Sequence, residues 1–331
     1  MKAAFIEKTG SIDEIIFGSL PLPKLGIGEY LVRVKCISLN PIDIYIRAGT
    51  VAMNLPKPFI SGCDFAGVVE QVGENCSRFK VGDRVWGSNQ GLLGRQGTCS
   101  EFIAVRDDYV YPSPEGVEDS QLAATALVGI TAHLGLFRNV NLKAGETVFV
   151  NGGTGGVGSM VVQMAKAIGA KVVTTVGSKE KADVCYSWGA DLVLNYHSDD
   201  ISKGVKEFTS NQGVQVWFET QREPDFLKIV DLMALRGRII IMAGRTAQPI
   251  FPVGPFYIKG LSLTGFAMFN ATPDEQRRCA NDINAWLASG KLNSHIGATF
   301  PLSNAKNAHK LLEENTLGKV GSLTGKILLI P

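Results

Sequence analysis

A glycine-rich run lies between a strand-like segment and a helix-like segment near the middle of the chain. The strand-like segment, 147–151, leads into Gly152-Gly-Thr-Gly-Gly-Val-Gly158, after which apolar residues return at helical spacing. Gly153, Gly155 and Gly158 fall on the spacing G-x-G-x-x-G. In that spacing the first glycine makes a tight turn, the second admits a pyrophosphate close to the backbone, and the third lets helix and strand pack. The run therefore predicts a dinucleotide phosphate site at a helix N-terminus, lined by Gly153, Thr154, Gly155, Gly156, Val157 and Gly158.

Strand-like apolar runs, most of them separated by helix-length segments, occur directly before and after this loop. They cover 147–151, 171–176, 191–195, 214–218 and 238–242, and a sixth, 261–265, follows a loop broken by proline. Near-continuous apolar strands that alternate with helices favour a parallel sheet covered on both faces. An all-β fold would need strict alternation of apolar and polar residues, which these runs lack. We therefore expect a doubly wound α/β domain over residues 123–265.

The first 122 residues have a different pattern. Segment 29–37 alternates apolar and polar residues as a half-buried strand does, and the strand-like segments 65–73 and 83–87 each end in glycine. This part is predicted to be an irregular, mostly β domain. After residue 265 the pattern is mixed again, with a helix opening at Thr272-Pro273, a second helix over 304–314 and a strand over 326–330.

Composition excludes several classes of protein. Lys and Arg number 33 against 31 Asp and Glu, a net charge of +2, so we expect no nucleic-acid partner. Apolar stretches stay shorter than a membrane span needs, and the first residues do not resemble a signal peptide. Six cysteines are scattered without a C-x-x-C pair, which disfavours a disulfide framework or a four-cysteine zinc lobe. These features predict a cytoplasmic protein with no membrane attachment.

The strand after the glycine-rich run indicates which dinucleotide is bound. An NAD site needs Asp or Glu about 20 residues after the first glycine, to bind the ribose hydroxyls. Here that stretch is Val173-Thr-Thr-Val-Gly177, which contains no acid, and Ser178-Lys-Glu-Lys181 follows it. Without a carboxylate at the strand end, a 2′-phosphate is not repelled, and hydroxyl and lysine groups can bind it. The sequence therefore favours NADP(H), although the lysines could instead simply be solvated at an exposed helix start.

With these motifs in register, the chain resembles the medium-chain dehydrogenase/reductase superfamily, and within it the zinc-independent quinone oxidoreductases related to zeta-crystallin. The segments that carry the resemblance are 34–49, 62–73, 79–85, 129–132, the glycine-rich run and 189–196. The resemblance implies a GroES-like catalytic domain, 1–122, interrupted by a Rossmann domain, 123–265, with a return to the first domain over 266–331. It also implies NADPH-dependent reduction of quinones.

Zinc-dependent members of the superfamily are expected to bind their metal through a cysteine and a Gly-His-Glu motif. The matching positions here are Asn40 and Gly62-Cys63-Asp64. Asn40 is a poor zinc ligand, and histidine is absent from this segment. Cys63 could be the remnant of a metal site, but a buried, inert thiol is the simpler interpretation. We therefore expect no metal.

The resemblance also implies roles for individual residues. It places Asn40, Tyr45 and Thr131 at the reaction site, where donors would stabilise an oxyanion. Tyr45 could instead only pack, and Arg47 could bind an anionic acceptor or be solvated. For the cofactor it assigns Ser178, Lys181 and Tyr196 to the 2′-phosphate, Gly244, Phe266 and Met268 to the nicotinamide pocket, and Lys326 or Lys319 to the C-terminal Gly-Lys motif.

Some alternatives stay open at this point. The family's Asp-x-Val-Gly after the fourth strand is replaced by Phe218-Glu-Thr-Gln-Arg-Glu-Pro, which puts side chains near the cofactor or reroutes the loop. A reductase of enone or alkenal double bonds is a second possible enzyme, although the sequence offers no clear acid for it. A non-catalytic NADPH-binding protein is a third possibility. Pairing of the edge strand 261–265 with its twin would give a homodimer.

Overall fold

A computed structural model describes residues 1–318 and 320–331. These residues form two compact units, the first made of 1–127 and 272–331 and the second of 128–271. The chain leaves the first unit within a helix and returns to it after the last strand of the second. These divisions fall a few residues later than the boundaries expected at 122 and 265.

The amino-terminal part of the first unit contains eight strands, one complete α-helix and the start of a second among the described residues. Helix α1 follows directly after β3 because Asn40 has an extended backbone and Pro41 fixes the first helical φ. The carboxylate of Asp43 accepts the Asn40 backbone N–H at 2.8 Å and so satisfies a donor at the helix start. The elements are β1 (Lys2–Ile6), β2 (Ile16–Ser19), β3 (Glu29–Leu39), α1 (Pro41–Arg47), β4 (Phe59–Ile60), β5 (Asp64–Val72), β6 (Arg84–Gly87), β7 (Phe102–Arg106) and β8 (Val110–Pro112).

Helix α2 (Asp119–His133) continues into a π-helical turn over Leu134–Asn139. By length and composition alone, the helical segment Asp119–Asn139 could cross a membrane, although the sequence predicted no apolar stretch of that length. In the most apolar 18 residues of this segment, 78% are buried inside the structure. Such burial is typical of a core helix in a globular protein.

The second unit contains the doubly wound sheet that the sequence predicted. Its strand order is β11-β10-β9-β12-β13-β14, and every neighbouring pair is parallel. Strands β9 and β10 match the predicted runs. Strand β13 begins five residues before its predicted start at 238, because it has an irregular first part in which Arg236 adopts φ 59°. The elements are β9 (Thr147–Asn151), α3 (Gly156–Ala167), β10 (Lys171–Val176), α4 (Lys179–Ser187), β11 (Leu192–Asn195), α5 (Ile201–Phe208), β12 (Val214–Glu219), α6 (Phe226–Leu232), β13 (Met233–Ile241), α7 (Val253–Ile258) and β14 (Ser262–Gly265).

The carboxy-terminal segment completes the first unit with α8 (Pro273–Ala288), β15 (Ile296–Pro301), α9 (Ala305–Thr316) and β16 (Lys326–Ile330). The large sheet has the order β15-β16-β3-β5-β6-β8, with β7 also paired to β3, and a small sheet has the order β2-β1-β4. Strand β16 runs antiparallel to β3, with Ile327 opposite Leu39, and β3 runs antiparallel to β5, with Ser38 opposite Asp64. This register brings one end of each of these three strands to the same place.

Candidate active site

The glycine-rich loop of the second unit joins β9 to α3. Gly152 makes the sharp turn, with φ 89°, so the left-handed position lies one residue before the Gly153 that the spacing had suggested. Gly155 is the N-cap of α3, with an extended backbone. A Cβ at Gly155 would meet only the Gly152 carbonyl oxygen, at 3.4 Å. This side of the loop is therefore open, at the N-terminus of a twelve-residue helix, where backbone N–H groups favour an anion.

The other two glycines of the motif pack against protein. A Cβ at Gly158 would lie 2.1 Å from the Gly152 carbonyl oxygen, so only glycine lets the helix approach the loop this closely. A Cβ at Gly153 would lie 2.3 Å from the Thr174 hydroxyl on β10. Gly158 thus has the packing role that the spacing predicts, while Gly153 makes a close contact with the sheet rather than the turn itself.

A buried carboxylate is connected to this loop by hydrogen bonds, and the sequence did not identify it as a functional residue. Glu219, at the end of β12, is 1% exposed and accepts Asn151 Nδ2 at 3.0 and 3.1 Å, Trp217 Nε1 at 3.0 Å and the Gln221 N–H at 2.7 Å. Asn151 Oδ1 in turn accepts the Thr175 hydroxyl at 2.8 Å, and the oxygen of that hydroxyl accepts the Gly152 N–H at 3.0 Å. Burial raises the pKa of Glu219 above its ordinary value. The network links the start of the glycine-rich loop to β10 and β12.

The altered loop after Phe218 follows Glu219 directly. The side chain of Gln221 lies against the glycine-rich loop, since a Cβ at Gly152 would be 2.6 Å from its Nε2. The family's glycine position holds Arg222, whose carbonyl oxygen lies 2.5 Å from where a Cβ at Gly244 would be. Gly244 has φ 84°, a conformation that favours glycine.

Three residues assigned to the 2′-phosphate lie together at the carboxyl ends of β10 and β11. Ser178 is the N-cap of α4, and its hydroxyl accepts the Lys181 N–H at 3.3 Å. The Tyr196 hydroxyl lies 2.3 Å from where a Cβ at Gly177 would be. Glu180 in the first turn of α4 is exposed, and its backbone N–H and the Ser178 hydroxyl lower its pKa. The strand end itself thus presents two hydroxyls and a lysine, a set that suits a phosphate.

Of the remaining residues assigned to the cofactor and the reaction in this unit, two are buried and two, Gly244 and Phe266, are half-buried. Thr131 on α2 is 4% exposed and Met268 is 5% exposed. The Phe266 N–H donates to the Ile241 carbonyl at 3.3 Å, which continues the end of β13. A Cβ at Gly135 in the π-helical turn would lie 3.5 Å from the Phe266 ring. Their contacts with a nicotinamide stay a prediction.

The first unit has a buried polar cluster, which we define as Asn40, Asp43, Cys63, Asp64, Ser88 and Lys326. The Lys326 ammonium donates to the Asn40 Oδ1 at 2.5 Å and to the Leu39 carbonyl at 2.9 Å. Asn40 Nδ2 donates to Asp64 Oδ2 at 2.8 Å and to the Ser38 carbonyl at 3.3 Å. The other carboxylate oxygen of Asp64 accepts the Ser88 hydroxyl at 2.6 Å and the Leu127 N–H at 3.1 Å. The resemblance had singled out Asn40, Cys63, Asp64 and Lys326, but neither Asp43 and Ser88 nor the hydrogen bonds within the cluster.

Burial dominates the electrostatics of this cluster. It raises the pKa of Asp64, and it raises the pKa of Asp43 to about 7. Burial lowers the pKa of Lys326, whereas the neighbouring carboxylates of Asp64 and Asp43 favour its charged form. The pKa of the Cys63 thiol is raised well above its ordinary value by burial and by the same carboxylates. Cys63 therefore stays a protonated, unreactive thiol at neutral pH.

The structure assigns environments to the other candidates of the first unit. Asn40 is fully buried with its amide bonded inside the cluster, so its direct contact with a substrate stays a prediction. Tyr45 is half-buried on α1. Arg47 is not a solvated surface residue, because it is fully buried and donates to the Gly10 carbonyl at 2.7 Å and to Glu313 on α9. Lys326 lies in the polar cluster, and Lys319 lies outside the described residues.

Comparison with known families gives two matches in chain order. Residues 26–115 match the alcohol dehydrogenase GroES-like domain, and residues 156–285 match the zinc-binding dehydrogenase family. The name of the second family implies zinc, but the residues of the polar cluster do not fit that metal. An ammonium is bonded to the amide at one expected ligand position, and a protonated thiol lies at another. No group of three or more His, Cys, Asp or Glu side chains within 1–318 and 320–331 could hold a metal ion.

Individual proteins give a closer comparison. The quinone oxidoreductase of Sus scrofa is 34% identical over 94% of this chain and 91% of its own length. The structure of Escherichia coli quinone oxidoreductase complexed with NADPH covers both chains fully, with 27% identity and a TM-score of 0.86. A structure of an NAD-dependent alcohol dehydrogenase also covers both chains, with 27% identity and a TM-score of 0.90. The chain therefore belongs to the quinone oxidoreductase family of the medium-chain dehydrogenases/reductases.

Proposed function

We propose that the protein is an NADPH-dependent quinone reductase that works without a metal ion. The observation that carries the proposal is the phosphate site of the second unit. It combines an open helix N-terminus at Gly155 with a strand end that has hydroxyls and a lysine in place of a carboxylate. The quinone class is supported by the relatives of this chain, whose names describe quinone oxidoreductases.

The nucleotide would be held by residues of the second unit. Backbone groups from Gly153 to Gly158 would bind the pyrophosphate, while Ser178, Lys181 and Tyr196 would bind the 2′-phosphate. Gly244, Phe266 and Met268 would form the walls around the nicotinamide. Bound NADPH supplies a hydride, which an electron-poor quinone accepts without Lewis-acid activation.

The protein's own groups would orient the acceptor and stabilise the developing oxyanion. Tyr45 carries a hydroxyl on α1, and Thr131 carries one on α2, so each offers a donor of the kind that stabilises an oxyanion. Asn40 would act by holding the start of α1, since its amide is bonded within the polar cluster. We further propose a cytoplasmic homodimer, in which the edge strand β14 pairs with its twin.

The test is the initial rate of NADPH and NADH oxidation by the chelator-treated protein, with a small panel of quinones and one enone. We expect quinone turnover with NADPH at a rate that the chelator does not change. Turnover confined to the enone would identify a double-bond reductase instead. Tight NADPH binding with no turnover of any acceptor would overturn the catalytic proposal and favour a non-catalytic NADPH-binding protein.

A further inference from the structure

Lys326 is a lysine side chain buried inside the first unit. It is only 7% exposed, and its ammonium has two close acceptors, the Leu39 carbonyl and the Asn40 Oδ1. A buried ammonium is stable only where opposite charge and hydrogen bonds compensate for the water it has lost. The compensating charges are the buried carboxylates of Asp64 and Asp43. The polar cluster therefore contains two buried acids and one buried cation.

The sheet register creates this arrangement. Ile327 on β16 lies opposite Leu39 on β3, and Ser38 on β3 lies opposite Asp64 on β5. Lys326 directly precedes Ile327 and Asn40 directly follows Leu39, so both residues lie at the strand ends where Asp64 begins β5. The ammonium thus lies where the ends of three paired strands meet, and its position is set by the register of the sheet.

Asn40 connects the two opposite charges. Its amide oxygen accepts from Lys326, and its amide nitrogen donates to Asp64 and to the Ser38 carbonyl. The reverse orientation would point the amide N–H groups at an ammonium and the amide oxygen at a carboxylate, so the two charges fix which way the amide faces. Because Asn40 is also the N-cap of α1, its position sets the start of the helix that carries Tyr45.

We infer that Lys326 is an internal cation that takes the charge-balancing place of a metal ion in this site. Its ammonium compensates the buried charge of the Asp64 carboxylate and favours the ionised form of Asp43, and through Asn40 it holds the start of helix α1. Lys326 is therefore a positioning residue of the catalytic unit. Its effect on turnover, through Tyr45, rests on the proposed function, whereas its effect on folding does not.

The first test is a double-mutant cycle on urea unfolding, with no cofactor or acceptor present. Lys326→Met leaves the Asp64 carboxylate without its cation. Asp64→Asn leaves the Lys326 ammonium without the carboxylate to which Asn40 connects it. Each single variant should therefore be less stable than wild type. The double variant removes the Lys326 ammonium and the Asp64 carboxylate together and leaves Asp43 in place. We expect it to be more stable than the sum of the single effects predicts, by a factor on the order of tenfold in the unfolding constant.

Additive losses in this cycle would overturn the inference, because they would mean that the two residues contribute separately. If Lys326→Met does not fold alone, recovery of a folded protein in the double variant supports charge balance. Failure of the double variant as well would overturn it.

The second test separates positioning from cofactor binding. Lys326→Met should lower kcat for quinone reduction about tenfold, while the NADPH dissociation constant stays within about twofold of the wild-type value. Lys35→Met is the matched control, since Lys35 is an exposed lysine on β3, and both quantities should stay unchanged in it. A rise in the NADPH dissociation constant with kcat retained would instead make Lys326 a cofactor ligand and overturn the inference. If wild-type protein turns over no quinone, the proposed function fails, and the unfolding cycle still tests the charge balance.

Discussion

Substitution of Gly158 by alanine tests whether close packing shapes the phosphate site. A Cβ at this position would lie 2.1 Å from the carbonyl oxygen of Gly152, 3.0 Å from its carbonyl carbon and 3.3 Å from the Cα of Gly153. All three atoms are backbone, so no flexible side chain can move aside. The loop or the first turn of α3 must shift to accept a single methyl group.

Two opposing effects set the expected change in the free energy of unfolding. Replacing glycine by alanine inside a helix stabilises by about 0.5–1 kcal/mol. Overpacking a tight contact costs about 1–3 kcal/mol, and the 2.1 Å approach to backbone argues for the upper end of that range. The net expectation is a loss of about 1–2 kcal/mol, which lowers the unfolding temperature of a unit of this size by about 3–8 °C.

Gly155→Ala is the matched control, because it adds the same methyl group to the same loop. Its backbone is extended, and its Cβ would meet only the Gly152 carbonyl oxygen, at 3.4 Å. We expect stability within about 0.5 kcal/mol of wild type but weaker NADPH binding, because the methyl group would occupy the open side of the loop. Thermal unfolding and calorimetric titration with NADPH measure both effects. A Gly158→Ala protein as stable as wild type, or a Gly155→Ala protein that binds NADPH normally, would refute this account of the loop.

Three further predictions concern single side chains. Glu219→Gln should lower the free energy of unfolding by about 1–3 kcal/mol, since one amide oxygen cannot replace two carboxylate oxygens that accept from three donor groups. Urea unfolding at neutral pH measures this loss, and an unchanged unfolding midpoint would contradict the proposed hydrogen-bond network. Lys181→Ala should raise the KM for NADPH at least about tenfold and leave the KM for NADH unchanged. Lys179→Ala, at an exposed position of the same helix, should alter neither KM. Equal effects of the two variants would refute the assignment of Lys181 to the 2′-phosphate. Burial and the nearby Arg47 lower the pKa of His309 from 6.5 to about 3, so unfolding takes up a proton below pH 6.5 and stability falls as the pH falls. His309→Gln should abolish about 2–3 kcal/mol of that loss between pH of about 7.5 and 4.5, measured by denaturation at both pH values, and an undiminished loss would contradict it.

Local pattern was sufficient to predict most of the fold. The apolar runs of β9, β10 and β16 match the observed strands residue for residue, because a glycine adjoins at least one end of each run in the sequence itself. The parallel sheet followed from strands that are apolar on both faces. The start of β13 was missed because Arg236 and Gly237 interrupt the apolar run in the sequence, and the strand passes through this point with an irregular backbone at Arg236.

Long-range partners could not be predicted in the same way. Glu219 supports the glycine-rich loop only because β12 pairs with β9, 68 residues earlier in the chain. Lys326 reaches Asn40 across 286 residues, through the register of β16 on β3. Arg47 is buried because α1 packs on α9, which supplies Glu313. In each case the residue type is visible in the sequence, but its partner is set by tertiary packing.

We propose that this member of the quinone oxidoreductase family uses NADPH because the end of β10 binds the 2′-phosphate. The most direct measurement is kcat/KM for NADPH and for NADH with one quinone, in the wild-type protein and in Lys181→Ala. We predict that wild type prefers NADPH by at least about tenfold and that the variant loses most of this preference through NADPH alone. Equal kcat/KM values for the two cofactors in wild type, or a preference for NADH, would contradict the claim.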